Sequence, residues 1–476
     1  MKPIYSSQNI NKIDHLAAQS LGINSFELMQ KAGAAIFSYV QHYSNILVVA
    51  GAGNNAGDGF IIAEMALKSG KKATVWSLID IGKLPSDAKK AVDKYLQAGG
   101  KIIYKNPLQH YDCIVDAIFG TGLSREVSGL FKQTIKWINT QKTTIIAVDL
   151  PSGLDANTGS IKGCVVNADI TITIICYKAG LVTNFGKQQC GQLFLEDLQV
   201  PIKAFESIIP TSYLLDESIL KQALFYHPNN SHKGSFGKAV IVGGHDGMIG
   251  ALILAGRAAL EAGCGIVEIV SNSEQITMAS IQCPELITAN SIHASRHLTS
   301  ANVIAVGPGL GLNQQSNDVL SYCLNQKMPL VIDADALTLI AEKKPKFSHA
   351  VLTPHPKEAA SLLNTDIMTI QNDRVSAALK ISQIYQSTVI LKGSGTVIAN
   401  PKGEVSICPF GYSGMATAGM GDVLTGIVAS LIAQGFSAFN AAQTAVVWHA
   451  LAAENCGQGN CLIATDVIAQ LPKEAI

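Results

Sequence analysis

Two glycine-rich turns, and aspartates placed where apolar runs end, are the residues of this sequence best suited to chemistry. The first turn lies in ILVVAGAGNNAGDGF (46–60), where a β-branched run delivers Gly51, Gly53, Gly57 and Gly59 toward a helix expected through Ile61–Lys68. Glycines there permit positive φ and let backbone N–H groups approach a ligand's phosphate. One reading is a dinucleotide-binding turn, with Asp80 after the next run as the ribose-binding acid. The other is a plain strand-to-helix turn. Asp58 opposes a pyrophosphate and suits hydroxyl, amide or cation contacts better. Two more runs end in oxygen-rich loops: VDAIFGTGLSRE (115–126), with Asp116 and Arg125, and AVDLPSGLDANTG (147–159), with Asp149, Ser152 and Asp155. Each aspartate alone is a turn residue, but together they make a convergent polar pocket. Oxygen donors without His or Cys favour a hard cation, and Arg125 suits a phosphate.

The second turn is SGMATAGMGDVLTGIVASLIAQG (413–435), where Gly414, Gly419 and Gly421 precede an apolar helix starting near Asp422. Amides at such a helix start form an anion hole for a transferring phosphoryl group. Asp422 is placed either to take a proton from an attacking hydroxyl or to cap the helix. The helix dipole should lower its pKa and make it a weak base. Around it stand LKGSGT (391–396), GPGLG (307–311), TPHPKEAA (353–360) with His355 between prolines, and MIGALILAGRAALEAG (248–263). No G-x-x-x-x-G-K-[ST] occurs, which excludes a P-loop. His232 and Lys233 read equally as phosphate contacts or as solvated linker. His293 and His297 read as a surface helix, and Trp448 and His449 as core.

These residues need a scaffold of alternating strands and helices. Helical spacing covers Asp14–Val40. Strands are expected at Ile46–Ala50, Ala73–Leu78, Lys101–Tyr104, Cys113–Ile118, Thr144–Asp149 and Ile170–Cys176. A second series is expected at Ala239–Val242, Gly265–Val270, Val303–Val306, Leu330–Asp333, Ala350–Thr353 and Val389–Lys392. Most are β-branched runs without alternation, as in strands of a parallel sheet buried on both faces. Between the series, Pro201–Asn230 and the polar stretch HPNNSHKGSFGK mark a boundary near residue 212. The chain thus reads as two α/β domains, 1–211 and 212–476. Its 476 residues are 48% hydrophobic and 15% charged, which excludes disorder, and 35 basic against 35 acidic residues give no charge that points to nucleic acid or a membrane surface. The apolar stretches Val423–Gly435 and Ala441–Ala453 are too short to span a bilayer, and the ten cysteines include no C-x-x-C. A cytoplasmic protein with small-molecule ligands is expected, its small-residue helices leaving room for a homo-oligomer.

LMQKAG, GAGNNAGDG, VDAIFGTG and VDLPSGLD resemble the successive motifs of the NAD(P)H-hydrate epimerase family. The resemblance implies a Rossmann-like three-layer sandwich. It implies that Asn54, Asn55, Ala56, Gly57, Asp58, Gly120, Thr121, Gly122, Leu123, Ser124, Arg125, Glu126 and Asp149 bind the hydrated nucleotide, and that Asn55, Asp116 and Ser152 hold potassium. Asp149, at a strand end, is the expected proton-transfer residue. Ala56 replaces the family's usual Gly and is tolerable only at negative φ. HKGSFG, GPGLG, TPHPKEA, KGSGT and GMGDVL resemble, in order, the NAD(P)H-hydrate dehydratase family of ribokinase-like fold. That resemblance implies AMP contacts from Lys392, Gly393, Ser394, Gly395, Thr396 and Gly421, and hydrate contacts from Ala251, Gly309, His355 and Asp422. It also implies Mg²⁺ with ADP as the donor. Met420 stands where the family usually has Thr, so a backbone contact would survive and a hydroxyl contact would be lost.

Overall fold

A computed structural model describes residues 1–223 and 229–474; His227 and Pro228 of the polar stretch lie outside the described residues. The chain forms two compact units, Lys2–Tyr213 and Leu214–Ile476. Each is a doubly wound α/β layer structure.

The first unit carries the short strand β1 (Lys2–Ile4) and a parallel sheet. The sheet consists of β2 (Asn45–Ala50), β3 (Lys72–Ser77), β4 (Lys101–Ile103), β5 (Cys113–Ala117), β6 (Thr144–Val148), β7 (Ile170–Ile174) and β8 (Gln192–Glu196). Its order is β4-β3-β2-β5-β6-β7-β8. Successive residues of β2 feed opposite cores: Ile46, Val48 and Ala50 pack under the helices Ser25–Val40 and Asn54–Lys68. Leu47 and Val49 pack with Ile135 and Ile138 of the helix Gly129–Ile138 on the other face. Three layers result, which is why these strands lack polar alternation. The helical spacing over Asp14–Val40 resolves into two helices, Ser7–Leu21 and Ser25–Val40. Gly22 ends the first in the left-handed region at φ 69°, and an Asn24–Glu27 capping box starts the second.

The glycine turn is also rearranged. The helix begins at Asn54 rather than near Ile61, so NNAGD forms its first turns. Gly51, Gly53, Gly57 and Gly59 all have negative φ, and Gly51, Gly57 and Gly59 are there for room. A Cβ on Gly57 would stand 2.5 Å from Met29 Sδ, and one on Gly59 2.7 Å from Ala117 Cβ. Ala56 lies in the helix, fully buried at negative φ, which meets the condition set for it. At Gly51 a Cβ would lie 1.9 Å from the Ile118 carbonyl oxygen, while Gly53 faces open space. Gly51→Ala should therefore cost about 3 kcal/mol, read as a lower urea midpoint, with Gly53→Ala near neutral as control.

After β9 (Ser212–Leu214), the second unit contains β10 (Lys238–Val242), β11 (Ile266–Val270), β12 (Ile287–Ala289), β13 (Val303–Val306), β14 (Leu330–Ile332), β15 (Ala350–Leu352), β16 (Thr388–Leu391), β17 (Thr396–Ala399) and β18 (Val405–Cys408). They run in the order β18-β17-β16-β15-β14-β13-β10-β11-β12. Only β16–β17 and β17–β18 pair antiparallel among these strands, so KGSG is a hairpin turn. β1, β8, β9, β12, β17 and β18 are absent from the sequence expectation; β1, β8, β9 and β12 are three- to five-residue, partly exposed runs, and β17 and β18 are four-residue strands of the hairpins after β16. The helices Met420–Ala433 and Ala438–Asn455 are almost wholly buried, Trp448 among their core residues, and no described helix is long and apolar enough to cross a membrane. His293 and His297 do not share a helix; they sit in or beside separate short 3₁₀ turns. All ten cysteines are free thiols.

Candidate functional site

In the first unit the polar residues gather where β5, β6 and β7 end. β5 and β6 are neighbours in register Asp116↔Ala147, so Asp116 and the residues after β6 meet at one edge. Asp116 is fully buried, and its carboxylate accepts from Ser152 Oγ (2.6 Å) and from the amides of Ser152 (2.8 Å) and Ile118 (3.2 Å). Burial pushes its pKa up to about 6, against the pull of those hydrogen bonds. Asn55 is buried with its Nδ2 unpartnered, and Gly120 leaves only 3.5 Å between its missing Cβ and the Asn55 side chain. A buried carboxylate to which, among the described residues, no basic side chain is hydrogen-bonded, joined to a hydroxyl and with the Asn55 amide oxygen nearby at the Gly120 turn, fits a hard monovalent cation. Asp116 and Ser152 are joined directly, and Asn55 stands beside Gly120, next to Phe119, whose amide donates to Ser152 Oγ at 2.8 Å. The residues of Gly120–Glu126 form an open loop, with Ser124, Arg125 and Glu126 exposed and Leu123 resting on the apolar cluster.

Asp149 follows β6 in the left-handed region at φ 68°, a conformation that aspartate tolerates better than most residues. Its carboxylate accepts from Lys178 Nζ at 2.5 Å, Thr173 Oγ1 at 3.1 Å and the Ile174 amide at 3.2 Å. Lys178, 1% exposed, also donates to Thr173 Oγ1 (2.9 Å) and the Ile174 carbonyl (3.0 Å). The neighbourhood is acidic. Burial first, then Asp149 and Asp14, raise Asp58 well above the carboxylate range, and burial raises Asp14 to about 6. Lys178 and Asp14 are functional candidates that sequence reasoning missed. Lys178 sits in IICYKAG, whose apolar surroundings are the available signal that a lysine there is buried and paired.

Two candidates fall away. Asp155 is a turn residue, accepting from the amides of Asn157 and Thr158 (both 3.0 Å) and pairing with Lys162 (3.2 Å). Asp80 is exposed and caps a 3₁₀ turn through the Gly82 amide (3.0 Å), so no ribose-binding acid stands there.

In the second unit the ends of β14, β15 and β16 converge. Lys392, after β16, reaches past β15 to Asp333, after β14 (Nζ–Oδ1 2.9 Å). Thr425 donates to the other Asp333 oxygen at 2.7 Å. Burial opposes the Asp333 charge, but Lys392 and the threonine hydroxyls hold it below the usual carboxylate range. Ala334 beside it is a left-handed non-glycine at φ 48°, strain of the kind that collects at sites. Gly419, at φ 88°, caps the helix Met420–Ala433. A Cβ on Gly421 would stand 3.2 Å from Lys392 Nζ, which places the ammonium against the helix's first-turn amides. Those amides lack intrahelical acceptors.

Asp422 lies in that turn, but its pKa is raised to about 7, by burial first and then by Asp333, rather than lowered by the helix dipole. Burial and neighbouring carboxylates outweigh a dipole worth a fraction of a kcal/mol to about 1 kcal/mol. Met420 packs its side chain into the core, so only its backbone is available. His355 caps the helix Pro356–Leu363, Nδ1 accepting from the amides of Lys357 (3.0 Å) and Glu358 (3.2 Å), so only Nε2 faces outward, 3.3 Å from Glu358. Thr396 turns its hydroxyl back onto the Gly393 carbonyl (3.0 Å), while Ser394 is exposed at the hairpin tip. Gly309 sits against Met248 and Ala251, with missing-Cβ distances of 2.8 and 3.5 Å. Arg374, also missed, is buried and donates to the carbonyls of Leu391 (3.0 Å) and Lys392 (3.1 Å), fixing the hairpin from below. His232 Nδ1 accepts from the Gly234 amide (3.1 Å), which makes it a local cap.

Two α/β units, each with an aspartate and a lysine at the carboxyl edge of its sheet, define a two-site enzyme. Residues 25–180 match the family described as YjeF-related protein N-terminus, and residues 239–473 the family described as NAD(P)H-hydrate dehydratase. The chain is similar to the bifunctional NAD(P)H-hydrate repair enzyme of Coxiella burnetii, 35% identical over 99% of each chain. It is also similar to that of Escherichia coli, 37% identical over 95% of this chain and 89% of the other. Among solved structures, an ADP/ATP-dependent NAD(P)H-hydrate dehydratase from Bacillus subtilis, co-crystallised with ATP and Mg²⁺, is 27% identical, with TM-score 0.50, over 55% of this chain and 97% of its own. A ribokinase-like protein from Enterococcus faecalis gives TM-score 0.53 at 27% identity over 56% and 96%. The chain belongs to the bifunctional NAD(P)H-hydrate repair enzyme family, and its second unit has the ribokinase-like fold.

Proposed function

We propose that residues 1–211 interconvert the R and S epimers of hydrated NADH and NADPH, and that residues 212–476 return the S epimer to NAD(P)H, consuming ADP and releasing AMP and phosphate. The observation that carries the second half is Asp422, a carboxylate held near neutrality beside the Lys392–Asp333 pair at a glycine-opened helix start. Hydroxide is a poor leaving group. Asp422 takes the proton of the ring hydroxyl as its oxygen attacks the terminal phosphorus of ADP, breaking the bond to AMP, which leaves; Mg²⁺ would supply further charge neutralisation on the phosphates. The ring nitrogen's lone pair then expels phosphate, and loss of a proton from the neighbouring ring carbon closes the double bond of the reduced ring. Lys392 and the first-turn amides, with Gly421 leaving them room, stabilise charge on the moving phosphoryl group. Lys392, Gly393, Ser394, Gly395 and Thr396 surround the AMP moiety; Ala251, Gly309, His355 and Asp422 face the hydrate.

In the first unit Asn54–Asp58, Gly120–Glu126 and Asp149 hold the hydrate. As Asp149 accepts the proton of the hydroxyl on the inverting carbon, the bond from that carbon to the ring nitrogen opens with its electron pair going to nitrogen and a carbonyl forming. Nitrogen re-adds to the carbonyl's other face and Asp149 returns the proton to the oxygen. Lys178, hydrogen-bonded to the Asp149 carboxylate, holds it in place as a positioning residue. Potassium held by Asn55, Asp116 and Ser152 would supply a fixed positive charge beside the nucleotide. Asp116 supports this: its folded pKa, about 6, is raised, so without a cation its ionisation lowers stability as pH climbs through that value. Potassium should therefore raise the thermal midpoint above pH 6, with the gain fading toward pH 5 as Asp116 protonates. An equal midpoint in choline chloride at all pH values overturns the assignment.

The direct test incubates the protein with mixed epimers and ADP or ATP, following the reduced ring's near-ultraviolet absorbance and free phosphate. Complete conversion is expected. A stable phosphoester without recovery of the reduced ring would make the second unit a kinase instead.

A further inference from the structure

Arg374 opens the helix Arg374–Tyr385 and is 1% exposed. Its guanidinium donates through Nη1 to Gln371 Oε1 (2.7 Å) and through Nη2 to the carbonyls of Leu391 (3.0 Å) and Lys392 (3.1 Å). Its Nε has no partner among the described residues. All three acceptors are neutral. An arginine is almost never so buried without a counter-charge, because taking the cation out of water is costly. Lys178, equally buried, has Asp149, and Lys392 has Asp333. Among the described residues no carboxylate pairs with Arg374 in the same way. Burial pulls its pKa down to about 10, which still leaves it charged at neutral pH.

The turn of the hairpin between β16 and β17 lies against this guanidinium. Gly393 and Ser394, at the tip, are exposed. A Cβ on Gly393 would stand 3.0 Å from both Nη atoms, and its φ of 137° is one that side-chain-bearing residues rarely adopt. No side chain of residue 393 therefore comes between the cation and the tip. Lys392 is tied at both ends: Arg374 holds its carbonyl, and Asp333 holds its ammonium against the first turn of the helix Met420–Ala433. The carboxylates Asp333 and Asp335 that bear on Asp422 outnumber Lys392. Without Arg374, an anionic donor would meet one lysine already neutralised and a surplus of acid.

We infer that Arg374 is a positioning residue for the donor nucleotide: it fixes the backbone of Lys392 and Gly393 and keeps beneath them a buried positive charge that the donor's phosphates neutralise. This rests on the AMP contacts proposed above for Lys392–Thr396. The planar fork of a guanidinium can brace two successive carbonyls at once and stay charged when buried, and an ammonium does neither as well.

The test measures, in the full chain, Arg374→Met and Arg374→Lys, the KM of ADP and of the S epimer, the Kd of ADP by calorimetry, and the thermal midpoint. Arg374→Met should raise the KM and Kd of ADP about tenfold or more, the worth of one charge a few ångströms away at a partly buried site. The KM of the S epimer and the rate of epimer exchange should stay at the parent values. Arg374→Lys keeps the charge but loses the fork, and should raise the Kd of ADP about threefold. A merely structural role would lower the thermal midpoint and kcat without separating the two KM values, and that result overturns the inference. So does an unchanged Kd of ADP in folded Arg374→Met; if that variant does not fold, an unchanged Kd in Arg374→Lys does the same. If the parent dehydrates neither hydrate but the Kd of ADP rises in the variants, the role of Arg374 stands and the reaction falls. If the parent binds neither ADP nor ATP, the AMP contacts of the hairpin fall and the role of Arg374 with them.

Discussion

Asp422→Asn is expected to lower hydrate dehydration by about 10³-fold or more while epimer exchange continues at the parent rate. The amide keeps the shape of the carboxyl but cannot take the hydroxyl's proton, and general-base assistance is worth about 10²–10⁴. A capping role alone would give a different result, since asparagine caps a helix start as well as aspartate does. The pH dependence adds a signature. The pKa of Asp422 is raised to about 7 by burial and by Asp333, and the reactive form is the anion. In the parent, kcat/KM should fall tenfold per pH unit below about 7 and level off above it. In Asp422→Asn the residual rate should lose that break. A variant retaining parental kcat, or a parent profile flat between pH 5 and 8, contradicts the assignment.

The second large effect is expected at Asp149. Asp149→Asn should reduce accelerated epimer exchange to the uncatalysed rate, with dehydration of purified S epimer unaffected. Folding has to be separated from chemistry here, because the substitution strands Lys178, a buried ammonium whose hydrogen bonds all lie within this cluster. Breaking such a pair costs about 3–5 kcal/mol. Lys178→Met should cost a similar amount, by leaving Asp149 among Asp14 and Asp58 with its cation gone. The double variant Asp149→Asn/Lys178→Met removes both charges, so its thermal midpoint should recover most of the loss while exchange stays at background. Recovery of exchange in the double variant would show that Asp149 serves stability alone.

Much of this was legible in the residue order because buried parallel strands announce themselves. The runs 46–50, 113–117, 144–148 and 303–306 are rich in β-branched and other apolar residues since both faces are covered, and Asp116 near the end of the second and Asp149 directly after the third fall at the sheet's carboxyl edge. The partly exposed strands β8 and β12 carry no such mark. The glycines of GAGNNAGDG were visible as a feature but misread in cause. Gly51, Gly57 and Gly59 make room for Met29, Ala88, Ala117 and Ile118, neighbours distant in sequence.

By itself, then, the sequence determined the α/β class, the two-unit division of motifs and the aspartates Asp116, Asp149 and Asp422, because strand ends and glycine turns are local patterns. Only the tertiary structure decided their ionisation and their partners. Lys178 reaches Asp149 across 29 positions and Lys392 reaches Asp333 across 59. The helix dipole acting on Asp422 can be read from its position in one turn, but the burial and the neighbouring carboxylates that reverse its effect come from strands elsewhere in the chain. A pKa is set by everything within a few ångströms, and chain order does not list those neighbours.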